Sequence, residues 1–321
     1  MNRRDVLRGF SLYAATKYSP ARAFSSEIDS PNHLLFIHGR GQQGRTAMQI
    51  KNEWLTALNR GAKALGKNLP KGIDVTFPYY GDILYDLASG ADVPLTSQLQ
   101  PRGEQTSGDF LEFQIEFADA IRRKAKITDA QIDAEYRGRP EHRGLQNDEW
   151  VLAMLRAIDK NVPGCSQLYL ERFMRDVFLY VTRPGVRDAV DKTVRAALSS
   201  QPTVIVSHSL GTVVAYSVLS TDQRTLSVPL LVTLGSPLAV RPVRDLFRPI
   251  AFPDPVETWY NAFDPHDAVA MYPLNPENFP VGRVIENNAQ VQNHTDNHHG
   301  ISGYLDDDAV VGHILNALGR A

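Results

Sequence analysis

The chain contains 321 residues, of which 43% are hydrophobic, and its 34 basic and 36 acidic side chains give a formal net charge of -2. A chain of this length and composition can bury a full hydrophobic core, whereas the mixed and nearly balanced charge excludes the basic surface by which proteins recognise nucleic acids. The sequence contains no repeat period, low-complexity tract or apolar run of membrane-spanning length, so we expect neither a nucleic-acid partner nor an integral membrane segment in the mature chain.

Residues 1–30 have features of an export signal. Arg3 and Arg4 precede a short apolar stretch, Gly9 to Ala15, and Ala21-Arg22-Ala23 then offers the small-x-small pattern of a cleavage site. This pattern predicts a twin-arginine signal and a periplasmic or secreted protein. Lys17 interrupts the apolar stretch, which such signals normally avoid, so a basic N-terminal tail on a cytoplasmic protein is the alternative.

The first predicted strand is the apolar run Leu34 to Ile37, which ends in His38-Gly39-Arg40-Gly41. Glycines allow a tight turn of the backbone, so that the amide of Arg40 can point at a developing negative charge on an oxygen atom, with Gly39 and Gly41 shaping the loop. We interpret His38 as a brace for this loop. A second strand is predicted over Ile73 to Pro78.

Over a hundred residues separate that second strand from the next predicted strand at Thr203, far more than one crossover helix requires. We therefore predict one domain over residues 31–321, with residues 80–185 inserted as a helical cap, or lid, above the carboxyl ends of the strands. Within the cap, residues 88–108 are predicted to be loop, helices are predicted over Asp109 to Ile121 and Trp150 to Ile158, and residues 123–143 are predicted to form a solvated helix and loop. Cys165, the only cysteine of the chain, is interpreted as a structural thiol.

The segment Thr203 to Thr212 combines a β-branched strand, the turn Ser207-His208-Ser209-Leu210-Gly211 and the start of an apolar-faced helix. A small-x-Ser-x-Gly turn between a strand and a helix is typical of a nucleophile elbow, where the serine backbone is strained and bulky neighbours would collide. Ser207 stands where glycine is more usual, and its side chain is still small enough for the turn. We therefore predict Ser209 as a nucleophile, with the amides of Leu210 and Arg40 forming an oxyanion hole.

A nucleophilic serine requires a base and an acid that orients the base, and after an elbow the acid precedes the histidine in the chain. The predicted strand Glu257 to Phe263 leads into Asp264-Pro265-His266-Asp267, where the loop after a strand would hold the acid. Asp267 is the first candidate. Asp264 is the alternative. It ranks second because an aspartate ahead of a proline is more easily explained as a turn-forming residue.

The candidate base lies in the histidine-rich segment His294 to Gly300, which follows a further predicted strand at Val281 to Glu286. His299 is the first candidate, His298 is the alternative, and we interpret His294 as a surface residue. Several histidines beside an aspartate are also compatible with zinc. Neither an HExxH motif nor paired cysteines accompany them, so we predict no metal site and no cofactor.

Together these segments resemble the α/β-hydrolase superfamily, and within it the lipase-like serine esterases, the group that also contains the GPI-inositol-deacylase-like enzymes. The similarity covers residues from about 31 to 80 and from about 185 to 321. It implies an α/β-hydrolase fold, with a mostly parallel central sheet flanked by helices, in which Ser209 is the nucleophile, Asp267 the acid and His299 the base. The motifs that carry it are His38-Gly39-Arg40-Gly41, Ser207-His208-Ser209-Leu210-Gly211, Thr233-Leu234-Gly235-Ser236-Pro237-Leu238, Asn261 with Asp264 to Val269, and His299 to Leu305.

The resemblance implies hydrolysis of a carboxylic ester through an acyl-enzyme on Ser209. Acyl transfer to an alcohol or amine by the same triad, and a non-catalytic binding protein on the same fold, are the alternatives. A cap above the strand ends favours a small-molecule ester with an apolar acyl group. Four apolar cap residues are candidate walls for that group, and packing between the cap helices is their alternative role: Phe110, Phe113, Phe117 and Met154.

Overall fold

The computed structural model describes residues 32–98, 108–139 and 147–319. The predicted export signal of residues 1–30 lies outside these residues. Within these residues, the centre of the molecule is a sheet of six strands: His33–Ile37 (β1), Asp74–Thr76 (β2), Thr203–His208 (β3), Val228–Leu234 (β4), Val256–Ala262 (β5) and Glu286–Asn288 (β6). Their order is β2-β1-β3-β4-β5-β6, and every neighbouring pair is parallel.

Helices flank this sheet, so the predicted α/β architecture with a parallel central sheet is confirmed. They are Ala47–Ala64 (α1), Gly81–Ser89 (α2), Gly108–Lys124 (α3), Asp129–Glu135 (α4), Asp148–Asn161 (α5), Gln167–Thr182 (α6), Pro184–Ala197 (α7), Leu210–Thr221 (α8), Arg241–Arg244 (α9), Ile301–Leu305 (α10) and Asp308–Leu318 (α11). Among the residues that the structure describes, no helix combines the length and the apolar character needed to cross a membrane.

The strands alternate their side chains between two hydrophobic cores, as the period of two in a β-strand requires. Leu34 and Phe36 of β1 pack in the core that α1 and α11 cover. Leu35 and Ile37 face the opposite core, which contains α7, α8 and the helices of the cap. Because both faces are covered, the central strands are apolar on both sides, which explains their continuous hydrophobic runs.

The segment predicted as a cap, residues 80–185 and called the cap below, lies between β2 and β3 in the chain and contains α2 through α6. The predicted helices over 109–121 and 150–158 form as α3 and α5, each somewhat longer than predicted. Helix α6 was not predicted, although its apolar residues at Leu170, Phe173, Met174 and Val177 follow helical spacing. The helix predicted within residues 123–143 forms as α4, and most of the described residues of this segment are exposed or half-buried. Ile132 is fully buried and joins the hydrophobic core.

Two boundary predictions are wrong. The loop predicted from residue 88 starts later, because α2 continues to Ser89. The strand predicted over Val281–Glu286 does not form; the sixth strand, β6, only begins at Glu286. The backbone of Gly282 has a φ of 77° and the Val284 side chain is 89% exposed. A left-handed glycine breaks the extended conformation, so the valines and isoleucine of this segment do not alternate across a sheet.

Candidate active site

Ser209 occupies the sharp turn between β3 and α8, with φ 56° and ψ -130°. A non-glycine residue in this conformation carries strain of about 1–3 kcal/mol, which the surrounding structure must offset. The structure shows why the residues two positions before and after Ser209 must be small. A Cβ at Gly211 would lie 2.3 Å from the carbonyl oxygen of Ile37. The Ser207 hydroxyl fits because it donates a hydrogen bond to the Val232 carbonyl oxygen of β4, at 2.9 Å.

The structure brings Ser209, His299 and Asp267 into one line of hydrogen bonds. The Ser209 hydroxyl donates to His299 Nε2 at 2.8 Å, and His299 Nδ1–H donates to Asp267 Oδ2 at 2.6 Å. All three residues are buried, with exposed fractions of 3%, 5% and 0% for Ser209, His299 and Asp267. This is the arrangement in which an imidazole can take a proton from a serine while a carboxylate stabilises the resulting cation.

Further groups hold the Asp267 carboxylate. The backbone amide of Val269 donates to Oδ1 at 3.0 Å, and the Tyr304 hydroxyl donates to Oδ2 at 2.7 Å. Burial and the neighbouring Asp267 charge raise the pKa of Tyr304 well above its ordinary value, so the phenol keeps its proton and acts as a donor. Gly235, with φ 57°, leaves room for this group, since a Cβ there would approach Asp267 Oδ2 to 3.1 Å.

His208, the residue before Ser209, supports His299 through a hydrogen bond and ring contact. Its Nε2–H donates to the backbone carbonyl oxygen of His299 at 2.7 Å, and the two imidazole centroids are 4.7 Å apart. Burial and the adjacent His299 lower the pKa of His208 well below its ordinary value, so this ring is neutral. A role for His208 was not predicted, because nothing in the sequence shows that it faces residue 299.

The loop after β1 lies directly against the nucleophile. A Cβ on Gly39 would lie 2.8 Å from the Ser209 Cβ and 3.3 Å from its hydroxyl oxygen, so only glycine leaves this space open. His38 Nδ1–H donates to the Gly39 carbonyl oxygen at 2.6 Å, and His38 Nε2 accepts from the Tyr80 amide at 3.1 Å. Burial lowers the pKa of His38 to about 4. A neutral ring with both nitrogens engaged fits the bracing role predicted for His38.

Arg40 connects this loop to the cap. Its Nε donates to Asp176 Oδ2 of α6 at 2.6 Å, and the two side chains are 15% and 9% exposed. The guanidinium also lies 5.9 Å from the ring centroid of Tyr169. The loop predicted to hold the oxyanion is therefore fixed to the helix that covers the site.

The side chains of the alternative acid and base, Asp264 and His298, form no hydrogen bond with the side chains of Ser209, His299 or Asp267. Asp264 instead accepts the backbone amides of His266 and Asn293, each at 2.7 Å. The His298 backbone is left-handed, with φ 54°, and its Nδ1 lies 3.0 Å from the Asn293 carbonyl oxygen. His294 is half exposed, as expected for a surface residue.

The predicted wall residues pack within the cap instead of facing the triad. Phe110 and Phe113 lie 4.9 Å and 5.5 Å from the ring of Phe178, measured between centroids. Phe117 packs on Phe173 at 5.8 Å. Met154 lines a separate cavity of about 970 Å³ between α3, α4 and α5. Contacts between cap helices, the alternative role, account for Phe110, Phe113 and Phe117, and the buried Met154 belongs to the same hydrophobic core.

The cap residues that do lie beside the triad come from α6 and the turn before it. The rings of Tyr169 and Phe173 are inclined to the His299 imidazole at 66° and 88°, with centroids 6.4 Å away in both cases. Gly164, with φ 72°, touches the histidine loop so closely that a Cβ there would lie 2.0 Å from the Asp296 carbonyl oxygen. Cys165 is buried, and burial raises the pKa of its thiol to about 12. This fits a structural thiol.

Comparison with models of protein families and with curated proteins gave no match to this chain. The chemistry of the site therefore has to be argued from its own geometry.

Proposed function

We propose that this protein is a serine hydrolase that cleaves carboxylic esters through an acyl-enzyme on Ser209, built on an α/β-hydrolase fold of the lipase-like esterase type. The observation that carries the proposal is the continuous path of hydrogen bonds from Asp267 through His299 to the Ser209 hydroxyl. The strained elbow under Ser209 supports it as well, since strain of this kind is typical of functional sites.

The reaction proceeds in two halves. The Ser209 oxygen attacks the ester carbonyl carbon while His299 Nε2 takes the hydroxyl proton, and Asp267 stabilises the imidazolium and holds its tautomer. The imidazolium then returns the proton to the leaving alcohol, and the acyl group stays on Ser209. Water, deprotonated by His299, attacks the acyl-enzyme and releases the carboxylic acid. No cofactor takes part in these steps.

The negative charge that develops on the substrate oxygen requires donors in the site. We assign this role to the backbone amides of Arg40 and Leu210. Gly39 lies within van der Waals distance of the nucleophile, and Leu210 begins the helix whose N-terminal amides face the same turn. Removing one such donor typically costs about a hundredfold in kcat or more.

The substrate we propose is a small ester with an apolar acyl group. The aromatic rings of Tyr169 and Phe173 beside His299 provide an apolar surface for such a group. Ser209 is only 3% exposed, and Tyr169 and Phe173 of α6 lie beside His299, so α6 is the part of the cap that we expect to limit access of a substrate.

The proposal is tested by covalent labelling and by hydrolysis of short p-nitrophenyl esters. A fluorophosphonate should modify wild-type protein at the peptide that contains Ser209, and Ser209→Ala should abolish both labelling and hydrolysis. Ser217→Ala is the matched control, because Ser217 is also a buried serine of α8 but bonds to Asp191, away from the triad. Labelling at another peptide, or equal hydrolysis by wild type and Ser209→Ala, would refute Ser209 as the nucleophile. Neither labelling nor hydrolysis by wild type would favour a non-catalytic binding protein.

Acyl transfer is the second candidate, and the burial of all three triad residues favours it. An enclosed site excludes water and so allows an alcohol or amine to compete for the acyl-enzyme. Product analysis with added acceptors distinguishes the two reactions. Acylated acceptor as the main product would assign a transferase, and free acid as the main product would assign a hydrolase.

We also propose export through the twin-arginine pattern at the N-terminus. Replacing both Arg3 and Arg4 by lysine should retain the protein in the cytoplasm. An unchanged distribution between cell fractions would refute this location.

A further inference from the structure

A second group of ionisable side chains lies beside the candidate triad and takes no part in the proposed reaction. It consists of Asp264, His266 and His298, which we call the Asp264 cluster. One ligand atom from each of the three residues lies within 4.8 Å of the other two. The cluster opens into a cavity of about 570 Å³ that His294 and Gln290 also line.

The Asp264 carboxylate is held in a fixed position. It is 2% exposed, and its two oxygens accept the backbone amides of His266 and Asn293, each at 2.7 Å. Each carboxylate oxygen has two lone pairs, so both oxygens keep one for another partner. Backbone donors that orient a carboxylate in this way are typical of the surroundings of metal ligands.

The remaining lone pairs of Asp264 face imidazole nitrogens. His266 Nδ1 lies 2.9 Å from Oδ1, and His298 Nδ1 lies 3.6 Å from Oδ2. Among the described residues, Asp264 forms ion pairs with these two histidines and with no arginine or lysine. A buried carboxylate is costly without a compensating cation, and the groups that surround this one are themselves metal ligands.

Although the sequence predicted no metal site, we propose that the Asp264 cluster binds a divalent transition-metal ion. The donor set of two imidazole nitrogens and the Asp264 carboxylate favours Zn²⁺. With bonds of about 2.0–2.1 Å, neighbouring ligand atoms of a tetrahedral zinc site are about 3.3 Å apart. His266 Nδ1 lies 2.9 Å from Oδ1 and His298 Nδ1 lies 3.6 Å from Oδ2, so each imidazole lies near this separation from a different oxygen of the one carboxylate. The fourth position faces the cavity and is open to water.

The main adjustment on binding falls on His266. Its side chain is 75% exposed, so it can rotate towards His298 without disturbing the core. At His298 the ion would replace the proton that Nδ1 now shares with the Asn293 carbonyl oxygen. The left-handed backbone of His298 allows its ring to face Asp264 while the ring of the next residue, His299, faces Asp267.

In this position the ion would have a structural role, linking the segments that carry the candidate acid and the candidate base. The turn from Asp264 to Asp267 carries the candidate acid, and its backbone is closed by a hydrogen bond from the Asp267 amide to the Asp264 carbonyl oxygen at 3.0 Å. His298 belongs to the loop that carries the candidate base. A metal ion that bonds both segments would fix the acid and the base relative to each other without touching the substrate.

Zinc binding by the chelator-treated protein tests the inference. Isothermal titration should show one Zn²⁺ per chain, Co²⁺ should give the visible absorption of a tetrahedral site, and Zn²⁺ should raise the unfolding temperature. His266→Ala should weaken binding at least tenfold, as is typical for loss of a ligand or its support. His298→Gly should do the same while it relieves the left-handed backbone, which separates loss of a ligand from loss of the fold.

His313→Ala is the control, since His313 is a partly exposed histidine outside the cluster, stacked on Tyr260. It should bind Zn²⁺ like wild type. Absence of stoichiometric binding, or equal binding by wild type and His266→Ala, would overturn the inference. The same titration in Ser209→Ala keeps this result separate from the esterase proposal, because that variant should bind Zn²⁺ normally whatever the role of Ser209.

Discussion

Asp176→Asn should destabilise the protein by about 3 kcal/mol, because it removes one partner of a buried ion pair. Asparagine has nearly the same shape as aspartate, so packing stays unchanged and the loss is electrostatic. Removing one partner of such a pair typically costs about 3–5 kcal/mol, since the other charge stays buried without compensation. Arg40 retains 15% exposure, so the lower end of that range applies. Arg175, whose Nε lies 3.8 Å from Asp176 Oδ1, loses its neighbour as well.

Equilibrium unfolding in urea measures this cost, and a double-mutant cycle isolates the pair. Arg40→Met with Asp176→Leu should cost about 1 kcal/mol or less, because replacing a buried pair by apolar residues is often nearly neutral. Glu53→Gln is the control, since Glu53 and Arg45 form an exposed pair at 45% and 40% exposure. Exposed pairs contribute about 0–1 kcal/mol.

The same variant has a functional consequence, because Arg40 is also the proposed oxyanion donor. Loss of the contact to α6 should loosen the loop, and kcat for ester hydrolysis should fall in Asp176→Asn but not in Glu53→Gln. If Asp176→Asn costs no more stability than Glu53→Gln, the pair does not fix the loop to the cap and the reasoning fails.

Three further predictions concern the site. Asp267→Asn should lower kcat about ten-thousand-fold with unchanged circular dichroism, because the amide no longer holds the imidazole tautomer; a loss below about tenfold would exclude Asp267 as the acid. The folded-state pKa of His38 is lowered to about 4, so the unfolded chain takes up the proton first as the pH falls below about 6.5, and the His38 contribution is present above that pH and lost below it. Between about pH 7 and pH 5 the free energy of unfolding should therefore drop by about 2 kcal/mol more in wild type than in His38→Gln. His208, whose pKa burial also lowers, contributes to the drop in both proteins, and equal slopes would contradict a role of His38. Cys165, whose thiol pKa burial raises to about 12, should resist iodoacetamide at neutral pH until urea unfolds the chain, and rapid alkylation of folded protein would show that it is accessible.

The sequence predicted those parts of the molecule that depend on local pattern. The β-branched run before Ser209, the small residues around it and the apolar helix after it are contiguous, so one segment contains the whole signal. The prediction of a strand at residues 281–286 was wrong for an equally local reason. Val281 and Ile285 are buried by loop packing while Val284 faces solvent, and apolar residues alone do not distinguish this from a strand.

Contacts between distant segments could not be predicted in the same way. The choice between His298 and His299 depends on which ring faces Ser209, and adjacent residues in a loop carry no periodicity that decides it. The Arg40–Asp176 pair joins residues 136 positions apart. The Tyr304 hydroxyl reaches Asp267 from 37 positions away. Such pairs follow from the packing of whole elements, which a single sequence does not specify.

In the part of the chain that the structure describes, the outermost strand on each side of the sheet is very short. β2 and β6 each contribute three residues, so each border presents only a few free amide and carbonyl groups to the outside. Unprotected borders of this kind are where a foreign strand adds on and where amyloid-like growth begins. Because each edge strand offers only three residues for pairing, another copy of the chain would form few hydrogen bonds there. The longer apolar strands, which are the most prone to aggregate, lie in the middle of the sheet.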